Sequence, residues 1–252
     1  MGKPKDSSIM GHLDELRRRM VWCAAALVIS ISASFALAGP IVKLFKNRAP
    51  GVELIYTKPT EMIGVYIQVS LYLGVALALP FIVYQLFRFV SPALTHKEKK
   101  YIYTLLPAVV IFFAGGVAFS YFVLLPPGLH FLLTFGNDVA KPMISVGSYV
   151  GLLSRLMFWT GVVFEIPIVM YFLSKIRIVT PSGFAKQRKW AAVGAFVLSA
   201  LITPTVDPVN QALLALPIMG LYEMGIIGAK IARMRGKEKP VDQEATSTRA
   251  TT

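Results

Sequence analysis

Glu98 is the one carboxylate in the stretch Arg88-Phe-Val-Ser-Pro-Ala-Leu-Thr-His-Lys-Glu-Lys-Lys-Tyr101, where it stands among Arg88, Lys97, Lys99 and Lys100. Two readings fit it. Beside the apolar Phe89 and Leu94 it is a docking point for a cationic group; three residues after Thr95 it also completes a capping box that starts a helix after Pro92. Asp14 and Glu15, in His12-Leu-Asp-Glu-Leu-Arg-Arg-Arg19, are spaced i,i+4 from Arg18 and Arg19. Surface ion pairing explains that spacing at about a few tenths of a kcal/mol per pair. Glu165 differs, because it lies inside an apolar run. An ionised carboxylate there costs about 2.5–3.5 kcal/mol on insertion scales, so it must be neutral, paired or facing water. Arg155, the one cation of that run, is about 15 Å away along a helix, too far to pair directly. Catalysis finds no comparable foothold. His12, His96 and His130 are scattered without metal-ligand spacing, no Ser/His or His/Asp constellation stands out, and the single Cys23 rules out an intrachain disulfide and a cysteine metal cluster. The expectation is no enzyme, no metal and no cofactor.

The elements that must carry these residues are membrane helices. The 252 residues are 55% hydrophobic and 15% charged, with a mean hydropathy of +0.62. Repeated long apolar runs can cross roughly 30 Å of hydrocarbon only as helices that satisfy their own backbone. The expected fold is all-α, a polytopic bundle of six spans at 20–38, 62–90, 101–125, 150–173, 191–203 and 212–229. Residues 1–19 are expected to form an amphipathic N-terminal segment, 20–229 the membrane domain and 230–252 a disordered tail. External loops are expected at 39–60, with room for a short helix, and at 126–149, beginning at Pro126-Pro127. Pro80 marks a kink, and Thr180-Pro181 starts a helix. The last two spans are short, the fifth, before Pro204, reaching about 20 Å, and both should thin the bilayer beside them. Gln68, Gln85 and Gln211 are expected to bridge helices. Glu223 lies near enough to a span end to reach the interface.

Charge fixes the expected orientation. Twenty of the 26 Lys and Arg residues fall on the side of the two termini, five on the other, with Arg155 inside a span. The positive-inside rule makes both termini cytoplasmic. Seven of the thirteen acids share that side and leave it at +13, a face suited to anionic lipid that repels basic ligands except beside a carboxylate. Because the charge is clustered between spans, nucleic acid is not an expected partner.

Several separate stretches resemble one family. His12-Leu-Asp-Glu-Leu-Arg17, Tyr56-Thr-Lys-Pro-Thr-Glu61, Phe89-Val-Ser-Pro-Ala-Leu94 with Glu98, Phe164-Glu-Ile-Pro167, and Leu201-Ile-Thr-Pro204 with Asp207 and Gln211 are similar to TatC, the multi-span core of the twin-arginine protein translocase. The likeness runs from about residue 10 to 230. Ala93 stands where many members have Gly, Lys99-Lys100 replace common arginines, and Arg155 lies outside the pattern. The resemblance implies a receptor in the bacterial cytoplasmic (inner) membrane. It would bind twin-arginine signal peptides of folded proteins, work in an oligomeric complex with TatB-type and TatA-type single-span subunits, and draw on the protonmotive force. It further implies signal-peptide binding by Glu15, Arg17, Phe89, Pro92, Leu94 and Glu98. Intramembrane or partner contacts would come from Glu165, Gln211, Thr203 and Asp207. With the resemblance added, docking is favoured over capping for Glu15 and Glu98. A secondary transporter of a small solute is the alternative, although the internal repeats that class often shows are not evident. An intramembrane enzyme is disfavoured by the missing nucleophile or metal set.

Overall fold

The computed structural model describes residues 6–48, 53–90, 96–134, 143–203 and 208–234. Its helices are α1 (Asp6–Lys46), α2 (Glu61–Val90), α3 (His96–Phe119), α4 (Leu125–Thr134), α5 (Val146–Val163), α6 (Ile166–Lys175), α7 (Pro181–Lys186), α8 (Arg188–Ile202) and α9 (Pro208–Met234). Two short strands, β1 (Leu54–Ile55) and β2 (Ile144–Ser145), pair in parallel with Leu54 opposite Ile144. Among the described residues five helical stretches are long and apolar enough to cross a membrane: Leu13–Lys46, Glu61–Phe89, Leu105–Thr134, Val146–Lys175 and Gln211–Met234. The expected fifth span corresponds to α8, whose 15 residues reach about 22 Å.

Several expected boundaries move. The N-terminal segment is not a separate helix: α1 is continuous for 41 residues, about 60 Å, and runs past Pro40 into the expected loop. Serines inside it return their hydroxyls to the preceding turn, Ser30 to the Ala26 carbonyl (2.8 Å) and Ser34 to the Ser30 carbonyl (2.6 Å), so they need no outside partner in hydrocarbon. The loop that follows, which had room for a short helix, contains the strand β1. Pro126-Pro127 do not end the third span. A π-helical segment, Ser120–Leu124, precedes them, and the Leu125 N–H donates to the Ser120 carbonyl. This wider turn lets two residues without N–H groups continue the helix as the first turn of α4.

The expectation that both final spans are short fails for the last helix. α9 extends for 27 residues, about 40 Å, and ends at Met234, inside the expected tail. Its N-terminal half is nonetheless matched to the short α8, because Glu223 reaches back to Arg188 at the base of α8 (2.7 Å). The rest of the tail lies outside the described residues.

The helices pack through small residues, as expected where apolar side chains have no solvent to escape. A Cβ at Gly74 would lie 2.5 Å from Ile31 Cα on α1, and one at Gly116 would lie 2.9 Å from Gly161 Cα on α5. At the end of the bundle away from the N-terminus, here the strand end, Glu61 joins α2 to α5. Its Oε1 accepts the Gly147 N–H (2.7 Å), and its Oε2 accepts the Thr57 N–H (2.8 Å) and hydroxyl (3.0 Å). Tyr149 donates to the Phe45 carbonyl (3.1 Å), and the Arg48 guanidinium stacks 3.9 Å from the Tyr121 ring centre.

At Gly74 the obstructing atom is backbone, which cannot swing away, so Gly74→Ala should cost about 1–3 kcal/mol by overpacking. Gly64→Ala, where a Cβ meets nothing within 4 Å, should be nearly neutral. Thermal unfolding of both variants in one detergent checks this, and equal melting points would contradict the close α1–α2 crossing.

Candidate functional site

At the N-terminal end, α1 and the last turns of α2 meet through a chain of three polar side chains. Glu15 Oε1 accepts from Arg19 Nε (3.2 Å) and pairs again with Arg19 Nη2, one turn along α1. The other terminal nitrogen, Nη1, donates to the Gln85 side-chain oxygen (3.3 Å) and, at 3.5 Å, to the Gln85 carbonyl. A carboxylate, an amide oxygen and a main-chain carbonyl thus surround one guanidinium. Such a charge-assisted set outperforms a solvated ion pair because the planar fork meets several acceptors at once. Gln85 is buried, and Glu15 and Arg19 are partly so.

The neighbourhood of this chain is apolar and basic. Phe87 stacks on Phe172 of α6 with ring centres 4.2 Å apart. Phe89 is half-buried in the last turn of α2, and Arg17 is exposed on α1. α3 begins at His96, which places Glu98 in its first turn; the side chain of Glu98, and Pro92 and Leu94 altogether, lie outside the described residues. Of the expected peptide-binding set the structure therefore brings Glu15 to the end of α2 that carries Phe89. Sequence reasoning anticipated the Glu15–Arg19 spacing but missed that Arg19 also reaches Gln85. The available signal was Gln85 itself, an amide near the end of an otherwise apolar run.

The intramembrane set divides. Glu165 sits at the break between α5 and α6, where Pro167 removes a donor and Glu165 N–H bonds the Val162 carbonyl in a tighter turn (3.1 Å). Its side chain is 8% exposed, and Oε1 is buried without a hydrogen-bond partner among the described residues. The flanking Phe164 and Ile166 pack against a cluster formed by α8 and α9, including Ala195, Ile202, Leu214 and Ile218. Gln211 staples that hairpin: its Nε2 donates to the Phe196 carbonyl (3.0 Å), and its own carbonyl accepts from Ser199 Oγ (2.6 Å). Thr203 closes α8 by donating to the Ser199 carbonyl (2.7 Å). Asp207 lies outside the described residues. Of the three glutamines expected to bridge helices, Gln85 and Gln211 do so. The Gln68 amide lies against Gly151 of α5 with no hydrogen bond among the described residues. Among the described residues no group of three or more His, Cys, Asp or Glu could hold a metal ion.

Known proteins resemble this chain over most of its length. The profile of the family described as Sec-independent protein translocase protein (TatC) matches residues 11–217. The Sec-independent protein translocase protein TatC of Aquifex aeolicus is 38% identical over 233 residues, 90% of this chain and 96% of that protein. An uncharacterized tatC-like protein, ycf43, of Gracilaria tenuistipitata var. liui is 35% identical over 226 residues, 90% of this chain and 95% of that one. A crystal structure of the twin arginine translocase receptor TatC superposes with a TM-score of 0.78 at 38% identity, covering 88% of this chain and 99% of the other.

A buried carboxyl oxygen without a partner costs about 1–3 kcal/mol, so Glu165→Leu should unfold at higher denaturant concentration than the parent. Glu165→Gln, which keeps a polar group in place, should not. Equilibrium unfolding in mixed micelles measures this; a destabilised Glu165→Leu would mean that the carboxyl has a partner after all.

Proposed function

We propose that this chain, which belongs to the TatC family of Sec-independent protein translocase proteins, is the receptor that takes up twin-arginine signal peptides in its own membrane. The observation that carries the reading is that Glu15 already holds a guanidinium. Arg19 occupies a seat built from a carboxylate and the two oxygens of Gln85. An incoming arginine has the same chemistry. Two adjacent arginines need two carboxylates; Glu98, at the start of α3, is the second acceptor in this reading, with Phe89, Pro92 and Leu94 flanking the apolar part of the peptide. Arg17 positions the peptide backbone from the exposed side of α1.

The orientation follows from charge. With both termini cytoplasmic, the docking end faces the compartment where folded cargo waits, and its surplus of lysine and arginine discourages basic peptides everywhere except at these acids. The subunit acts by binding, not by catalysis. Glu165, at the broken fourth span, is suited to receive a polar group from a single-span TatA- or TatB-type partner in an oligomeric complex, because a carboxyl retained at a cost to stability is best explained by a contact made only in the assembly. The protonmotive force drives transport in this reading. A small-solute transporter finds no support in the comparisons, which point to a protein translocase.

Fluorescence anisotropy with a labelled twin-arginine peptide tests the site. Charge-assisted hydrogen bonds contribute about 1.5–3 kcal/mol each, so Glu98→Gln should weaken binding at least tenfold with unchanged melting, while Glu15→Gln, which also loosens Arg19, should weaken binding and lower the melting point. Gln still serves in a capping box; if Glu98→Gln binds the peptide normally while Glu98→Ala lowers stability, Glu98 is a cap and the reading fails there.

A further inference from the structure

At the strand end, a groove of about 640 Å³ opens between α2, α4, β2 and α5. Arg155 of α5 lies on its wall, exposed, and no hydrogen bond or ion pair reaches it among the described residues. It is the cation that falls inside a span, and nothing in the peptide-docking end uses it. The Gln68 amide and the Ser148 hydroxyl line the same groove, whose remaining wall includes Leu132, Leu133 and Leu152. Gly151, one turn before Arg155, makes room for the amide: a Cβ there would stand 3.3 Å from both Gln68 Nε2 and Oε1. Arg155 is about 13 Å along the axis from the start of α5, and side chains on a helix lean toward its N-terminus, so the guanidinium is carried back toward the strand end.

Among the described residues the groove has a cation and no carboxylate on its wall. An anion must therefore come from outside the groove, and the leucine wall requires that the anion be attached to hydrocarbon. A soluble anion would satisfy Arg155 and leave the wall without a partner. A zwitterionic head would bring an ammonium for which the lining offers no carboxylate. We propose that this groove is a binding site for an anionic phospholipid, its phosphate held by the Arg155 guanidinium and the Gln68 amide, its acyl chain along Leu132, Leu133 and Leu152. Guanidinium and phosphate match as a two-pronged pair, and Ser148 supplies a further donor. The site is at the opposite end from the peptide-docking acids and stands independently of them.

Trp159, one turn beyond Arg155 and 42% exposed, reports on occupancy. In the full chain carrying Trp22→Phe and Trp190→Phe, Trp159 is the remaining tryptophan, and lipids brominated near the acyl carbonyl quench it on contact. Phosphatidylglycerol should quench at a concentration at least tenfold lower than phosphatidylcholine. Arg155→Gln should abolish that preference, Arg155→Lys should keep part of it, and Gln68→Leu should weaken it with the charge intact. Millimolar inorganic phosphate should not displace the lipid. Equal quenching by both lipids, or an Arg155→Gln variant that melts and quenches like the parent, overturns the proposal. So does full displacement by inorganic phosphate, which would make this a soluble-anion site, or displacement of the lipid by a partner helix bearing a carboxylate.

Discussion

Hydrocarbon offers a charge or a hydrogen-bonding group nothing in return for its hydration, and most polar features of the described residues are arranged around that constraint. Serines along α1 fold their hydroxyls onto their own helix. Gln211 and Ser199 close the hairpin between α8 and α9. Lys175, buried near the end of α6, donates to the Ala232 carbonyl in the last turn of α9 (3.4 Å), where a cation also complements the helix dipole. With these groups satisfied, the helices can approach through glycine contacts that leave lipid-facing surfaces to Val28, Ile29 and Phe35.

Among the described residues two charged groups escape this arrangement, and each is proposed to meet an outside partner. Glu165 and Arg155 both belong to the broken fourth span, on opposite sides of its middle, and neither completes a pair with the other. The break at Phe164–Glu165 and Pro167 frees backbone next to the carboxyl, while Gly151 makes room for the Gln68 amide in the groove that Arg155 lines. At the N-terminal end the logic is reversed: Glu15, Arg19 and Gln85 are joined to one another, and a ligand carrying a guanidinium would enter by exchange for Arg19. On the proposed reading such an exchange is of like for like, so Glu15 is never left without a cationic partner.

Much of the architecture could be read from the sequence because hydrocarbon leaves few alternatives. Long uncharged runs meant helices, and the scarcity of partners for Glu165 inside its run pointed to a special environment. The helix break there was foreshadowed by Pro167. Boundaries were harder. The π turn at Ser120–Leu124 has no local pattern that separates it from an ordinary helix, so Pro126-Pro127 read as a stop. The pairing of β1 with β2 joins residues ninety positions apart in sequence, and nothing local to either two-residue strand announces it. α9 outran its apolar segment, and in the added last turn its Ala232 carbonyl accepts from Lys175, fifty-seven residues earlier. Glu15 could be paired with Arg19 from spacing alone, but the third member of that chain, Gln85, is set by the crossing of α1 and α2, which spacing does not encode.

The central claim is that the N-terminal end, where Glu15, Phe89 and the start of α3 are gathered, receives the twin-arginine peptide. Photo-crosslinking tests it most directly, with a photoreactive group placed beside the arginine pair of a signal peptide and adducts mapped by mass spectrometry on the full chain in lipid. The account predicts adducts on the α1 extension around Leu13–Leu16 and near Phe89, suppressed when the two arginines are replaced by lysines. Adducts confined to the strand end or to the α8–α9 hairpin, or adducts indifferent to the lysine replacement, would contradict it.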